Sequence, residues 1–401
     1  MNSPNPKTVS ILGSTGSVGT NTVELIELHN AATPGSYGVI ALTAHENVAR
    51  LAEQAQRLKP QFVAIANQDK YLDLKEVLSG SNIEVGAGPN AVIEAALRDA
   101  DWLMASIIGA AGLKPTLAAV SRGKTIALAN KECLVTAGDL FMSEVRRSGA
   151  LLLPVDSEHN AVFQVFEISQ RHAIERITLT ASGGPFRTWS LQDMDKVTPI
   201  QACKHPNYSM GAKISVDSAT LMNKGLELIE AHHLFGIASE KLDVVVHPQQ
   251  AVHCLVTYSD GSVLAQLASP DMRTPIAYSL GYPARINAPT KRLNLAELGQ
   301  LTFQAPDTER FPCLKLAQDA LRTGGGAATI LNASNEVAVE AFLAEKLRFS
   351  QIARVVEETM DACLPNAGTP HTLEHALALD SQARQHAKRA LQNQSSLFKT
   401  R

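Results

Sequence analysis

The segment Val9-Ser-Ile-Leu-Gly-Ser-Thr-Gly-Ser-Val-Gly19 decides the fold class. In it an apolar strand runs into Gly13, Gly16 and Gly19, and a helical pattern follows through Leu28. Glycines permit a tight turn and the close approach of a pyrophosphate, to which the start of the helix offers N–H groups and the positive end of its dipole. Because the spacing is G-x-x-G-x-x-G rather than the commoner G-x-G-x-x-G, a turn without a ligand is the alternative. The position at the first strand-to-helix junction favours a bound nucleotide.

Further apolar runs repeat this strand pattern in the first part of the chain and alternate with helical stretches. They are residues 39–42, 62–66, 102–108, 125–129 and 151–155. Such alternation predicts βαβ units and a parallel sheet. Residues 1–155 are therefore predicted to form a Rossmann-type domain.

The pattern changes after Pro154. Residues 156–282 are predicted to form a mixed α+β domain, with strand-like runs at 177–180, 244–247 and 263–268 and a helix around 222–235. Residues 283–312 carry several prolines and few apolar runs, which predicts a linker. Residues 313–401 are rich in helix formers at helical spacing and predict a C-terminal helical domain. The predicted fold class is therefore α/β, with these domains following the Rossmann-type sheet.

The composition is that of an ordinary globular protein. Of the 401 residues, 45% are hydrophobic and 19% are charged, which excludes a wholly disordered chain. The 36 basic and 39 acidic residues give a formal net charge of −3. This balance provides no long-range attraction to nucleic acid or to an anionic membrane, whereas local basic residues can still bind a small phosphorylated molecule.

Cysteine usage and the N-terminus predict a cytoplasmic protein. The five cysteines lie far apart without a C-x-x-C pair, which argues against a disulfide framework and a structural zinc site. The N-terminal residues resemble neither a signal peptide nor a transit segment. No apolar run reaches the roughly 18 residues that a membrane span requires.

Two acids, Asp156 and Glu158, follow the apolar run that ends at Val155. In extended backbone, residues two apart point to the same side. Neighbouring carboxylates repel each other unless a cation lies between them, and such oxygen ligands suit Mg²⁺ or Mn²⁺. The alternative is a solvated loop with two surface acids.

A second polar group lies in Ser218-Ala-Thr-Leu-Met-Asn-Lys-Gly-Leu-Glu227, which is predicted to be one helix. The spacing of Asn223, Lys224 and Glu227 places them on one helix face. Such a face can hold a metal ion and a phosphorylated substrate, although an ordinary Lys–Glu pair is the alternative. Gly225 inside the helix costs about 1 kcal/mol relative to alanine and indicates a close approach.

Two loops between these groups are further candidates. Ala181-Ser-Gly-Gly-Pro-Phe-Arg187 is suited to donating hydroxyl and backbone hydrogen bonds to a phosphate, although the same sequence also suits a simple turn. His205-Pro-Asn-Tyr-Ser-Met-Gly211 predicts irregular backbone, in which an aromatic residue can serve as a lid. A structural role and a ligand-contacting role both remain open for His205.

Taken together, these segments resemble one family, 1-deoxy-D-xylulose 5-phosphate reductoisomerase. The motifs occur in the family's order over almost the whole chain, and the full set is specific although each motif alone is weak. They are Gly13-Ser-Thr-Gly-Ser-Val-Gly19, Ile108-Gly-Ala-Ala-Gly112, Asn130-Lys-Glu132, Val155-Asp-Ser-Glu-His-Asn160, Ser182-Gly-Gly-Pro-Phe186, His205-Pro-Asn207, Lys213-Ile-Ser-Val-Asp-Ser-Ala-Thr220, Met222-Asn-Lys-Gly-Leu-Glu227 and Pro270-Asp-Met-Arg-Thr-Pro275.

The resemblance implies an activity and an assembly. The implied enzyme is a homodimer with a flap near residues 203–213 in its catalytic and dimerisation domain. It uses NADPH and a divalent cation (Mg²⁺, Mn²⁺ or Co²⁺) to convert the small phosphorylated sugar 1-deoxy-D-xylulose 5-phosphate to 2-C-methyl-D-erythritol 4-phosphate. This reaction is the committed step of the non-mevalonate route to isoprenoids.

The same resemblance assigns roles to individual residues, motif by motif. The metal ligands would be Asp156, Glu158 and Glu227, which together with Lys131 form the catalytic group. Substrate would be bound by Lys131, Ser157, Glu158, Ser182, His205, Ser218, Asn223, Lys224 and Glu227, with Ser182, Ser218, Asn223 and Lys224 facing its phosphate. The cofactor-binding residues would be Thr15, Gly16, Ser17, Val18, Asn47, Asn130, Glu132 and Gly211.

Two residues depart from the family pattern. Relatives usually carry tryptophan in the flap where this chain has Tyr208, which still provides an aromatic lid. Many relatives carry a basic residue at the adenosine end where this chain has Glu46. We hypothesise that His45 or Arg50 supplies the positive charge that favours NADPH over NADH.

Two other functions compete with this interpretation. An NADP-dependent dehydrogenase that reduces a sugar phosphate without rearranging it would share the glycine-rich turn but would need no group of three carboxylates. A regulatory protein that senses a dinucleotide would explain the glycines but would leave Lys131, Asp156, Glu158 and Glu227 without a purpose.

Overall fold

The computed structural model describes residues 6–204 and 211–396. The chain forms two compact units, each assembled from separate stretches of sequence. The first unit comprises Met1–Cys133, Ser143–Phe163 and Asp271–Lys291, and the second comprises Leu134–Met142, Gln164–Pro270 and Arg292–Arg401. This division does not follow the predicted boundaries at residues 155, 282 and 312, so the division into domains at those residues stays a prediction.

The described residues contain strands and helices in the following order along the chain. The strands are β1 (Lys7–Leu12), β2 (Tyr37–Ala44), β3 (Phe62–Ile65), β4 (Glu84–Ala87), β5 (Trp102–Ala105), β6 (Thr125–Leu128), β7 (Leu151–Pro154), β8 (Ile174–Ala181), β9 (Leu242–Val246), β10 (Val252–Tyr258) and β11 (Val263–Leu267). The helices are α1 (Ser17–Ala32), α2 (Val48–Leu58), α3 (Tyr71–Val77), α4 (Gly88–Leu97), α5 (Leu113–Val120), α6 (Glu132–Ser148), α7 (Ser157–Val165), α8 (Leu191–Met194), α9 (Pro199–Ala202), α10 (Ala212–Ala219), α11 (Met222–Phe235), α12 (Arg273–Gly281), α13 (Leu295–Leu298), α14 (Pro312–Thr323), α15 (Ala327–Leu343), α16 (Ile352–Cys363) and α17 (Leu373–Ser396).

The first unit is built on a seven-stranded sheet in the order β4-β3-β2-β1-β5-β6-β7. All of its strand pairs are parallel, as predicted. Most of these strands carry a buried apolar run because helices cover both faces of such a sheet. The strand order changes direction between β1 and β5, and ligands of open α/β sheets bind at this point, beyond the carboxyl ends of the strands. The glycine-rich turn directly follows β1 and therefore lies at this edge.

Every predicted strand run of the first domain overlaps a strand of this sheet, and the predicted α/β class is confirmed. Strand β4 is the one that the sequence pattern did not indicate. It is short, begins with the exposed Glu84 and contains Gly86, so it carries no apolar run. A side chain at Gly86 would meet Phe62 and Ala91 at 2.7 and 2.8 Å, so glycine allows this edge strand to pack closely.

The second unit contains a four-stranded sheet in the order β11-β10-β8-β9, which is mixed because only β8 and β9 run parallel. Helix α11 coincides with the predicted helix at 222–235. Within the predicted linker, Gln304 pairs with Val246 of β9 through two backbone hydrogen bonds of 2.8 and 2.9 Å. Helices α14 to α17 follow and pack on one another around α15, as expected for a helical C-terminal region. Across residues 6–204 and 211–396, no helix is long and apolar enough to cross a membrane.

Candidate active site

The turn after β1 is shaped by Gly13. Its φ of +85° is a left-handed conformation that side chains disfavour, and a Cβ there would lie 2.8 Å from the carbonyl oxygen of Ser106, beyond the end of β5. The Gly13 N–H donates to Oγ1 of Thr43 at 2.9 Å. The loops after β1 and β5 are thereby held close to the end of β2, at the edge where a nucleotide is expected.

Gly16 occupies the N-cap position of α1, and no side chain caps this helix. Its backbone is ordinary extended (φ −74°), and an added Cβ would meet only the Gly13 carbonyl oxygen, at 3.5 Å. Gly19 differs, because a Cβ there would lie 2.2 Å from that same oxygen. The first N–H groups of a helix lack partners within the helix and attract an anion. Gly16 and the exposed Ser17 thus fit the pyrophosphate of a dinucleotide, with Thr15 and Val18 beside them.

The predicted adenosine end lies after β2. Asn47 caps α2, since its side-chain oxygen accepts the N–H of Arg50 at 3.0 Å. His45, Glu46 and Arg50 are all exposed around it. The structure therefore leaves both basic side chains accessible to a phosphate beside Glu46.

Asn130 is buried and braces the loop that follows β5. Its amide nitrogen donates to the carbonyl oxygens of Ile107 and, at 2.9 Å, Gly109, while its oxygen accepts the N–H of Cys133 at 3.0 Å. A Cβ on Gly112 would lie 2.3 Å from this amide. Asn130 thus fixes the loop at the cofactor edge, and the neighbouring Glu132 is buried in the first turn of α6.

The extended backbone that the sequence predicted at Asp156 and Glu158 is wrong. Helix α7 begins at Ser157, the Asp156 carbonyl oxygen accepts the Asn160 N–H at 2.8 Å, and the Asp156 carboxylate accepts the Glu158 N–H at 3.4 Å. Aspartate is a preferred residue at a helix start because it satisfies these N–H groups. The two acids are nevertheless brought together, with carboxylate oxygens within 4.8 Å of each other.

The surroundings of this acid pair favour a cation. Asp156 Oδ2 lies 2.9 Å from Nζ of Lys131, and the Asp156 side chain is only 13% exposed. Glu158 is 6% exposed and accepts a 2.6 Å hydrogen bond from the Ser157 hydroxyl. Two shielded carboxylates beside one ammonium group carry a net negative charge, and oxygen ligands of this type suit Mg²⁺ or Mn²⁺. This half of the predicted metal site therefore fits a hard divalent ion.

The second unit carries the other predicted polar group on α11. Glu227 is 1% exposed and accepts hydrogen bonds from Asn223 at 2.5 Å and from the buried Lys224. The shared helix face is thus confirmed, whereas the single helix predicted from Ser218 to Glu227 is wrong. Helix α10 ends at Ala219, and Leu221 adopts a left-handed φ of +61° before α11 begins.

The close approach that Gly225 indicated is made by another helix rather than by a ligand. A Cβ on Gly225 would lie 2.3 Å from the Cβ of Ala317 on α14. Glycine at this position therefore permits tight packing of α11 against α14.

Ser182 lies in a tight loop directly after β8. Gly183 and Gly184 have φ values of +82° and +68°, and the Gly184 N–H donates to the Ser182 hydroxyl at 3.1 Å. A Cβ on Gly184 would lie 2.8 Å from the carbonyl oxygen of Ser218, so this loop packs against the end of α10. Within the second unit, the loop that carries Ser182 thus packs against the helix end that carries Ser218, the other serine predicted to bind a phosphate.

Some predicted residues cannot be placed. His205 and Tyr208 lie outside the described residues, as does the central part of the flap predicted near 203–213. Gly211 is exposed and precedes α10 as its N-cap. Asp156 and Glu158 belong to the first unit and Glu227 to the second, so one cation shared by all three is a proposal.

Sequence reasoning overlooked an ion pair made by Arg273 in the Pro270–Pro275 motif. Arg273 contacts both Asp271 and, at 2.8 Å, Glu24 of α1, and these two carboxylates raise the pKa of its guanidinium. This ion pair ties α12 to the helix behind the glycine-rich turn. The Arg-Asp spacing in the motif was visible, but the distant partner Glu24 was not.

A second overlooked residue is Asp217, next to Ser218. It is 1% exposed and lies near Cys313, whose thiol pKa is raised to about 12 by burial and then by the Asp217 carboxylate. This thiol is neutral at physiological pH and offers no nucleophile. The four-residue spacing of Lys213 and Asp217 on one helix was the only available signal.

Comparison with known proteins shows the family to which the chain belongs. Sequence models match residues 9–138 (1-deoxy-D-xylulose 5-phosphate reductoisomerase), 152–235 (the C-terminal domain of that enzyme) and 267–386 (DXP reductoisomerase C-terminal domain). The 1-deoxy-D-xylulose 5-phosphate reductoisomerase of Rhodospirillum centenum is 58% identical over 381 residues, covering 95% of this chain and 93% of the relative. The chain belongs to the 1-deoxy-D-xylulose 5-phosphate reductoisomerase family.

Solved structures of the family agree with this fold. The Zymomonas mobilis 1-deoxy-D-xylulose 5-phosphate reductoisomerase in complex with NADPH has a TM-score of 0.90 at 52% identity, covering 96% of this chain and 99% of that one. A DOX-P reductoisomerase in complex with NADPH, fosmidomycin and magnesium has a TM-score of 0.92 at 42% identity, covering 98% and 99%. The resemblance seen in the motifs is thus confirmed over nearly the whole chain.

Proposed function

We propose that this chain converts 1-deoxy-D-xylulose 5-phosphate to 2-C-methyl-D-erythritol 4-phosphate, with NADPH and a divalent cation, through the residues described above. The observation that carries the proposal is the 58% identity to a reductoisomerase over 95% of the chain. When bound, the cation supplies a Lewis acid and NADPH supplies a hydride. The residues of the chain bind and orient the sugar phosphate between them.

In this proposal, Asp156, Glu158 and Glu227 bind the cation together. Asp156 and Glu158 are supported by their proximity beside Lys131, and Glu227 by its burial on a polar helix face. Lys131 places a positive charge beside the oxygen atoms of the reacting carbons, where negative charge develops. Ser157, which donates to Glu158, orients that carboxylate and contacts the substrate.

The phosphate of the substrate binds to Ser182, Ser218, Asn223 and Lys224. The packing of the Ser182 loop against the end of α10 and the ammonium group of Lys224 support this subsite. Because the phosphate is remote from the reacting bonds, its binding energy can hold the sugar in a reactive position. His205 is proposed to contact the substrate from the flap.

NADPH is proposed to bind with its pyrophosphate on Thr15, Gly16, Ser17 and Val18 and its adenosine end near Asn47. Asn130, Glu132 and Gly211 complete the site, with Asn130 acting through the loop that it braces. Arg50 or His45, both exposed near Asn47, supplies the positive charge for the 2′-phosphate.

The decisive experiment measures product formation from 1-deoxy-D-xylulose 5-phosphate, with NADPH and with NADH, before and after chelation of divalent cations. We expect 2-C-methyl-D-erythritol 4-phosphate, loss of activity with chelator, recovery with Mg²⁺ or Mn²⁺, and a higher kcat/KM for NADPH. NADPH oxidation that persists undiminished in chelator would favour the dehydrogenase that does not rearrange its substrate. A preference for NADH would refute the role of His45 and Arg50.

Substitution of Ser182 by alanine tests the phosphate subsite. We expect KM for the sugar phosphate to rise about tenfold, because one hydrogen bond to a charged group is lost, while KM for NADPH stays unchanged. Ser190→Ala is a suitable control, since Ser190 caps the nearby short helix α8 instead of entering the subsite. An unchanged KM in Ser182→Ala would mean that the phosphate binds elsewhere.

We also propose that the protein is cytoplasmic, because its widely spaced cysteines suit a reducing compartment. We further propose that it forms a homodimer. One face of the four-stranded sheet holds an apolar groove of about 450 Å³ lined by residues including Val245, Leu255 and Phe303, the last 43% exposed. A second copy of the chain would cover such a patch. Light scattering should give twice the 42.9 kDa chain mass, and Leu255→Lys should shift the enzyme toward monomer. A monomeric wild-type enzyme would contradict this assembly.

A further inference from the structure

Asp217 is a buried carboxylate directly beside a residue of the phosphate subsite. It lies on α10, where it is 1% exposed, whereas the adjacent Ser218 is partly exposed. None of the roles proposed above uses Asp217. A carboxylate is costly to bury unless it is paired and hydrogen-bonded, so its partners indicate its purpose.

Both carboxylate oxygens of Asp217 have a nitrogen partner. Oδ1 accepts a 2.8 Å hydrogen bond from Nδ2 of Asn335 on α15, and Oδ2 lies 2.8 Å from Nζ of Lys213, one turn earlier on α10. Asn335 is fully buried, and the side chain of Lys213 is 26% exposed. The contact with Asn335 ties α10 to a different helix, 118 residues away in sequence.

Helix α15 is a firm anchor for this contact. Most residues of α15 are buried, and the helix packs against α14, α16 and α17 as well as α10. A hydrogen bond from a fully buried amide restricts the position of its acceptor, because the bond weakens steeply as the donor, hydrogen and acceptor depart from a straight line. The contact therefore fixes the rotation of α10 about its own axis, which packing of apolar residues alone would define less sharply.

The rotation of α10 matters because its last turn lies against the loop that carries Ser182 and Gly184, which is proposed to bind the phosphate. The carbonyl oxygen of Ser218 and Cα of Ala219 are the nearest atoms to the position that a Cβ on Gly184 would occupy, at 2.8 and 3.0 Å. Turning α10 would therefore move the Ser218 hydroxyl relative to Ser182 and its loop. Both serines would then no longer face the same anion.

We propose that Asp217 is a positioning residue, whose hydrogen bond to Asn335 sets the rotation of α10 and thereby presents Ser218 to the phosphate of the substrate. This inference rests on the proposed function, because it requires that Ser182 and Ser218 bind that phosphate. Asp217 acts only through Ser218 and touches neither substrate nor cofactor.

Asp217→Asn tests the contact. Asparagine has one oxygen where aspartate has two, so it cannot accept from both Asn335 and Lys213 as Asp217 does, and the contact that sets the rotation of α10 is weakened. We expect KM for the sugar phosphate to rise about tenfold, equivalent to one charge-assisted hydrogen bond, with KM for NADPH unchanged and a smaller effect on kcat.

A swap of the two residues provides the rescue. In Asp217→Asn/Asn335→Asp, the residue at 217 donates to the new carboxylate at 335 and can still accept from Lys213, so KM should return to within about threefold of wild type. Glu336→Gln is the matched control, because it removes a carboxylate from the same helix, where Glu336 pairs with Arg384 of α17. It should leave KM for the sugar phosphate unchanged.

The outcomes separate positioning from stability. A lower melting temperature in Asp217→Asn with an unchanged KM would overturn the inference, as would a swap variant that folds but keeps the high KM. If Asp217→Asn does not fold, the swap and Asn335→Ala are compared instead. A KM for the sugar phosphate in Asn335→Ala equal to that of wild type would also overturn the inference. A wild-type enzyme inert toward the substrate would first overturn the proposed function itself.

Discussion

Glu227→Gln should leave a folded protein with at least about 100-fold lower kcat, because a neutral amide is a far weaker ligand for a divalent cation than a carboxylate. The glutamine has nearly the same volume, and its single oxygen can still accept from one of the two donors, Asn223 or Lys224, which bond to different oxygens of Glu227. The loss of the negative charge beside Lys224 should lower the melting temperature without preventing folding. Activity should be measured over a range of Mg²⁺ and Mn²⁺ concentrations.

A direct titration with Mn²⁺, followed by electron paramagnetic resonance, separates binding from turnover. We expect Glu227→Gln to bind the ion more weakly than wild type. Glu240→Gln makes the same change at a fully exposed position of the second unit and should change neither activity nor Mn²⁺ binding. A Glu227→Gln enzyme with wild-type kcat and wild-type Mn²⁺ affinity would remove Glu227 from the metal site.

Gly16→Val should abolish cofactor binding while preserving the fold, with an affinity for NADPH at least about 100-fold weaker. The backbone of Gly16 is accessible to valine, and the new Cβ would meet only the Gly13 carbonyl oxygen, at 3.5 Å. Its methyl groups would instead occupy the space over the first turn of α1, where a pyrophosphate must approach the N–H groups closely. Calorimetric titration with NADPH in the absence of substrate measures this effect.

Two variants of α1 make the interpretation specific. Thr20→Val places the same β-branched residue inside α1 and should bind NADPH normally. Gly19→Ala should behave differently from Gly16→Val, because its Cβ would lie 2.2 Å from the Gly13 carbonyl oxygen and should lower the melting temperature. Normal NADPH affinity in Gly16→Val would show that the turn does not bind the cofactor.

The sequence predicted the parallel sheet well because its strands are buried on both faces. Runs such as Trp102–Ala105 are apolar throughout and need no partner to be recognised. Strand β4 escaped because it lies at the edge of the sheet with an exposed glutamate and a glycine.

The local geometry of the candidate site was harder to predict. Asp156 was assigned to a strand end, but aspartate followed by Ser157 and Glu158 is also a helix-start sequence, and the helix forms. The helix through Ser218 to Glu227 was predicted as continuous because leucine rarely adopts the left-handed conformation that Leu221 has. In both places a single backbone choice at one residue decides the geometry.

Contacts between distant residues could not be predicted from one sequence. The partner of Asp217 is Asn335, and that of Arg273 is Glu24, with separations of 118 and 249 residues. Nothing in the composition of either segment marks these pairs. The family motifs provide the residues proposed to bind metal and phosphate, but they do not indicate which neighbours hold those residues in place.

The division of the first unit into separate stretches of sequence has a consequence for synthesis. The indole N–H of Trp102 donates to the Ser279 carbonyl oxygen at 3.1 Å, Lys7 Nζ donates to the Leu280 carbonyl oxygen at 2.7 Å, and Ile276 is fully buried in the same core. The core of the first unit is thus completed only when α12 has left the ribosome, long after the synthesis of β7, the last strand of the sheet. A nascent chain that stalls near residue 200 would therefore expose this core to chaperones and proteases, and an excised fragment ending there should be short-lived in cells.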